Sequence, residues 1–125
     1  MFCYKYHLIL FNNIFFISYS NIRWYFDGIK RKKAEAYLLQ AGTNGVYLIR
    51  PRCKLKYALS VYCDGSVKHY KIKSRNDKYF LDKRRLFSSL QELIDYYTVE
   101  NDGLCTILSK PYTPVNNFLL FYNKG

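Results

Sequence analysis

A chain of 125 residues with 20 Lys and Arg against 9 Asp and Glu carries a formal charge of +11. One domain is expected, because single cores of roughly 100–150 residues are the commonest size. Half the residues are apolar, which argues against disorder throughout, and the charge points to an anionic partner: phosphopeptide, nucleic acid or an acidic membrane face. Cys3, Cys53, Cys63 and Cys105 form no C-x-x-C pair, so zinc and a disulfide framework are not expected, and they read as reduced thiols of a cytosolic protein.

Residues 1–21 form an atypical apolar extension whose only full charge is Lys5. Lys5, His7, Asn12 and Asn13 interrupt its longest candidate membrane run, and the basic start and small-residue cleavage site of a signal peptide are missing. The tail, residues 115–125, repeats the same bias. Both ends read as disordered or appended sequence around one domain at 22–114.

Within that domain, Ala34, Tyr37, Leu38 and Ala41 make one apolar helical stripe, ended by the turn residues Gly42, Asn44 and Gly45. Val46–Ile49 is a short apolar strand, and Pro51, which has no N–H, should end it or bulge it. Tyr57–Tyr62 and Val67–Lys73 are two further strands joined at Asp64-Gly65, a tight-hairpin dipeptide. A short strand at Tyr79-Phe80-Leu81 precedes a second helix, capped by Ser88 with Gln91 three residues on and buried through Leu90, Leu93, Ile94 and Tyr97. A final extended piece ends near Pro111. The expected class is α+β: a central antiparallel sheet, a three-stranded meander plus small strands, with one helix on each face.

Trp24-Tyr25-Phe26, Gly28-Ile29, Ala34-Glu35, Tyr47-Leu48-Ile49-Arg50, Leu59-Ser60-Val61, Val67-Lys68-His69-Tyr70, Phe87, Leu93-Ile94 and Asp102-Gly103-Leu104-Cys105 stand in an order and spacing that resembles an SH2 domain. The resemblance spans about three-quarters of the chain. Cys63-Asp64-Gly65, Leu81-Asp82 and Leu104-Cys105-Thr106 are most similar to the C-terminal Src kinase group, with Src next. It implies a cytoplasmic, monomeric phosphotyrosine-binding module of tyrosine-kinase signalling, whose partners are tyrosine-phosphorylated proteins or peptides, with no cofactor and no nucleic acid.

Arg50 then corresponds to the arginine that grips the phosphate. A guanidinium can hold two phosphate oxygens bidentately, and a deep pocket admits the long phosphotyrosine while phosphoserine falls short. Read alone, Arg50 is an ordinary strand-end arginine. Arg31 resembles the family's second arginine, although Lys30–Lys33 is also a run of the kind that usually faces water. His69 resembles the pocket-wall histidine, and Lys71 shares its strand face. The resemblance assigns Tyr70, Leu81, Asp82, Tyr97 and Leu104 to the groove that reads residues after the phosphotyrosine. There the apolar members favour an aliphatic side chain and Asp82 disfavours an acidic one.

After Arg50 the family usually has an acid, then Ser, with more hydroxyls in the next loop. Here Pro51-Arg52-Cys53-Lys54-Leu55-Lys56 is shorter and has no hydroxyl. Two consequences stay open: Arg52, Lys54 and Lys56 replace hydrogen bonds with charge, giving salt-dependent binding, or the domain is degenerate and binds weakly. In the second case the basic surface would act on anionic lipid at the inner face of the plasma membrane, or the chain would be a fragment of a larger kinase. An enzyme is not expected: there is no glycine-rich phosphate loop, no His-Arg-Asp or Asp-Phe-Gly segment, and no nucleophile–base pair is evident in the sequence.

Overall fold

The computed structural model describes residues 9–11, 14–16, 22–53 and 56–114. Within the N-terminal extension, β1 (Ile9–Phe11) and β2 (Ile14–Phe16) pair as an antiparallel hairpin. The rest of the extension, Lys54 and Leu55, and the tail from residue 115 lie outside the described residues, and with them the expectations made there. Next in the chain come α1 (Arg31–Ala41), β3 (Tyr47–Cys53), β4 (Lys56–Cys63), β5 (Ser66–Arg75), β6 (Lys78–Phe80) and α2 (Leu90–Tyr97).

Strands β3 to β6 form an antiparallel sheet in chain order, with α1 on one face and α2 on the other, as expected of the α+β class. The expected small strand is β6, which pairs with Lys73, Ser74 and Arg75 at the end of β5 and, through Tyr79, bridges to Phe87. Asp64 and Gly65 turn the β4–β5 hairpin at φ +52° and +87°, the positive values that a two-residue turn requires. At Pro51 the strand bulges and continues: the register shifts between Pro51 and Cys53, and Cys53 then pairs with Lys56.

Cross-strand register sorts the side chains by face. Leu48, Ser60 and His69 form one row and Arg50, Ala58 and Lys71 the next, both on the α1 side. Ile49, Leu59 and Tyr70 make a row on the α2 side. Ala34 and Leu38 of α1 bury against Val46, Leu48 and Tyr112, whereas Leu90, Leu93, Ile94 and Tyr97 of α2 join Trp24, Ile49, Leu59, Val61 and Ile72. Each such side chain contributes about 1.5–3 kcal/mol when fully buried.

Strand β3 sits at the sheet's edge in sequence order, yet its outer edge is covered. Ile49 donates to the Trp24 carbonyl at 2.7 Å, and Phe26 returns a bond to the Ile49 carbonyl at 2.9 Å. Nearer its start, Tyr112 donates to the Tyr47 carbonyl at 2.8 Å. Two segments distant in sequence therefore make β3, the strand that carries Arg50, an interior strand. Trp24 is itself anchored, its indole N–H donating to Gln91 Oε1 at 2.9 Å.

The cap of α2 lies one residue later than expected. Ser89, not Ser88, is the cap, accepting from the Glu92 amide at 3.1 Å, while Glu92 reaches back to the Ser88 amide at 2.9 Å. Both Ser-x-x-Gln and Ser-x-x-Glu fit the sequence. The acidic residue suits the positive end of the helix better, and Gln91 is engaged by Trp24.

Candidate functional site

On the α1 face one chain of contacts joins three elements. Arg50, 6% exposed, projects from β3 and donates from Nε to Ser60 Oγ at 3.3 Å, while its Nη2 lies 3.3 Å from His69 Nδ1. Ser60, from β4, places its Oγ 2.8 Å from the same Nδ1. On the far side of the ring, His69 Nε2 lies 2.8 Å from Glu35 Oε2 of α1, and Arg31 Nε is 3.5 Å from that oxygen.

Burial and then the nearby Arg31 and Arg52 pull the Arg50 pKa below its ordinary value, with Glu35 opposing. His69 is likewise held below the usual imidazole value, first by burial and further by Arg31 and Arg50, against the opposing hydrogen bond to Glu35. The Glu35 carboxyl is lowered, chiefly by its hydrogen bond to His69. A neutral imidazole lies beside a buried guanidinium that has two of its five N–H groups engaged among the described residues. The arrangement can receive an anion with several acceptor oxygens.

Ser60, His69 and Glu35 also have the distances of a hydroxyl, a base and an orienting carboxylate, a grouping the sequence did not reveal. They cannot work as a nucleophilic triad. Ser60 is 0% exposed, so no acyl carbon can reach its Oγ, and the Arg50 N–H occupies a lone pair that attack would need.

Three of the other expected phosphate-side residues are described. Lys71 is exposed and lies across Ala58 from Arg50, with only a methyl group in the row between them. Arg52 is half-buried beyond the bulge, and Arg31 is largely exposed at the start of α1. Lys54 lies outside the described residues.

The expected groove residues collect on the opposite face. Tyr97 and Leu104 are buried in the larger core, and Tyr70 and Leu81 pack against it half-buried. The Tyr70 hydroxyl accepts the Cys105 amide at 3.0 Å, and burial pushes its pKa up to about 12. Asp82 accepts the Arg84 amide at 3.0 Å and its guanidinium, which holds the carboxyl down to about 2. Arg84 therefore pairs with the Asp82 carboxylate, and Lys73 adds to the same field. Nearby, Arg85 lies over the Tyr96 ring at 4.5 Å and 3.4 Å from Asp102.

The family model of the SH2 domain matches residues 24–97. The chain belongs to the SH2 family. SH2 domains are non-catalytic modules that bind tyrosine-phosphorylated proteins in kinase signalling, and the α+β expectation agrees with this membership. Human tyrosine-protein kinase FRK is 42% identical over 92 residues, which are 70% of this chain and 18% of that protein. The chain therefore corresponds to a small part of that relative. The SH2 domain of human proto-oncogene protein VAV1 superposes with a TM-score of 0.66 at 28% identity, over 72% of this chain and 70% of that one. The SH2 domain of a Monosiga brevicollis CRK/CRKL homolog gives 0.68 at 28% identity, over 75% of this chain and 89% of that one. Among the described residues, no helix of this SH2 chain is long and apolar enough to cross a membrane.

Glu35 and Ser60 belong to the site but were not identified as site residues from the sequence, although both stand in the motifs that carry the resemblance. Each left a signal. Ser60 is a small polar residue in the middle of an apolar strand, and Glu35 is the first acid after a run of four cations, four residues beyond Arg31.

Proposed function

We propose that this chain reads phosphotyrosine in peptides, with Arg50 gripping the phosphate and Arg31, Arg52, Lys54, His69 and Lys71 completing the pocket. The supporting observation is Arg50 itself: a buried guanidinium among further cations, held by two neutral groups and with N–H donors left over. Burying a charge without an ionic partner costs several kcal/mol, and a phosphate dianion would recover that cost through charge-assisted bonds. The residues after the phosphotyrosine would cross β5. Its Val67–Ile72 stretch has no strand beyond it among the described residues, and Tyr70 alternates there with His69 and Lys71. Tyr70, Leu81, Asp82, Tyr97 and Leu104 then form the second half of the site, with an aliphatic preference. In this reading the chain is a cytoplasmic module of a tyrosine kinase.

The test is titration of a tyrosine-phosphorylated peptide library at physiological salt, beside the unphosphorylated set and an Arg50→Ala variant. Micromolar binding that needs both phosphate and Arg50 is the expected result. Equal binding in all arms would remove the reading.

A second reading has its own observation. A groove of about 530 Å³ lies between Gly28, Ile29 and Ala36, rimmed by Lys30, Lys32 and Lys33. Lysines around an apolar floor suit an anionic lipid headgroup and its glycerol backbone. Binding to phosphatidylserine vesicles that persists in excess phenyl phosphate and is lost on Lys30, Lys32 and Lys33→Ala would establish it; no difference from neutral vesicles would exclude it.

A further inference from the structure

Of the contacts on the α1 face, the one between Glu35 and His69 has the most directional content. A carboxylate only accepts hydrogen bonds, so at 2.8 Å from Glu35 Oε2 the neutral His69 ring must carry its proton on Nε2. Nδ1 is then a bare lone pair. Both of its neighbours are donors: the Ser60 hydroxyl at 2.8 Å and Arg50 Nη2 at 3.3 Å. Ser60 spends its only proton on Nδ1, which leaves its oxygen free to accept from Arg50 Nε. The other tautomer leaves Ser60 bonded but sets Nδ1–H against the Arg50 guanidinium and a bare Nε2 against the Glu35 carboxylate.

We propose that Glu35 is a positioning residue for phosphate recognition, fixing His69 in the Nε2–H form so that Nδ1 and Ser60 together hold the Arg50 guanidinium in its receiving orientation. The proposal rests on the phosphotyrosine reading of the site. Glu35 does not touch the phosphate. Its carboxylate shares the pocket with the incoming dianion and competes for Arg31, 3.5 Å away, so it carries an opposing electrostatic effect. The two roles separate by substitution. Gln keeps an acceptor oxygen for Nε2–H while removing the charge, whereas Ala removes both.

The experiment has two readouts on the whole chain: the ¹⁵N shifts of the His69 ring near neutral pH, and phosphotyrosine-peptide affinity. Wild type is expected to show the Nε2–H tautomer. Glu35→Ala should show a mixture and bind about three- to tenfold more weakly, from the loss of one charge-assisted hydrogen bond and the looser guanidinium. Glu35→Gln should keep the tautomer and bind as tightly as wild type or up to severalfold more tightly. Unchanged tautomer and affinity in Glu35→Ala would overturn the inference, as would Glu35→Gln binding as weakly as Glu35→Ala. Phosphate-independent or absent binding by wild type would instead remove the phosphotyrosine reading, and the inference with it, while the ring shifts still report whether Glu35 sets the tautomer.

Discussion

Replacing Arg50 by Met should abolish phosphopeptide binding while leaving the fold at least as stable. Met keeps an unbranched stem opposite Ala58 in the sheet, and it loses the buried charge. Against the substitution stand two hydrogen bonds to neutral groups, Ser60 at 3.3 Å and His69 at 3.3 Å, together about 1–3 kcal/mol. In its favour stands relief of the desolvation of a 6%-exposed guanidinium that also faces Arg31 and Arg52, several kcal/mol for a buried ion. Ser60 is not orphaned, because His69 Nδ1 still receives its proton at 2.8 Å. The balance is a change between zero and about +2 kcal/mol, a rise in Tm of up to about 10 °C for a domain of this size. Binding moves oppositely: losing two charge-assisted bonds to phosphate, about 1.5–3 kcal/mol each, weakens the Kd by at least about a hundredfold. Thermal melts with and without phenyl phosphate test both halves, since only wild type should be stabilised by the ligand. A destabilisation of more than about 1 kcal/mol in the ligand-free variant would refute the reasoning, because Arg50 would then be a net structural asset.

Gly45 holds φ +88°, and an added Cβ would stand 2.6 Å from the Ile107 carbonyl oxygen and 2.9 Å from the Ser109 amide nitrogen, which donates to the Gly45 carbonyl at 2.8 Å. Gly45→Ala should therefore cost about 2–5 kcal/mol from backbone strain and overpacking, measurable by urea unfolding. Ser89→Ala should cost about 1 kcal/mol as the loss of an N-cap, and Ser88→Ala clearly less; the reverse order would contradict the observed cap. His69 has its folded pKa below the unfolded value of 6.5, so the unfolded chain binds more protons and stability falls as pH drops below about 6.5. The groups facing it are Glu35 and Arg31 from α1, Arg50 from β3 and Ser60 from β4. Melts from pH 7.5 to 5.5 should consequently decline more steeply in wild type than in His69→Gln, and parallel slopes would reject this account.

Period-two patterning made the sheet legible. The β-branched and aromatic runs around Asp64-Gly65 mark β4, β5 and their turn, and the stripe Leu90, Leu93, Ile94, Tyr97 marks α2. Less legible were features decided by long-range partners. The choice between Ser88 and Ser89 depends on Trp24 engaging Gln91, a contact across 67 positions. The grouping of Glu35, Ser60 and His69 requires the β4–β5 register and the docking of α1, neither of which local spacing displays. The bond from Arg84 to Asp82 is set by the loop that follows β6 and cannot be read from their spacing. For Arg50, identity was legible from the motif, whereas its contacts with Ser60 and His69 depend on the pairing of three strands.

The two faces of the sheet are not built to the same depth. Among the described residues, the core beneath α2 gathers 14 buried side chains and that beneath α1 has 5, so on these residues α1 has less apolar surface holding it down. Local opening is expected to begin on the thinner side, and amides of α1 should exchange with solvent before those of α2. The cations of the proposed phosphate pocket lie on that same side. A ligand bound there would bridge α1 to β3, adding the tie that the thin core lacks, and the slowed opening of α1 would carry news of occupancy along the helix to whatever is joined to it.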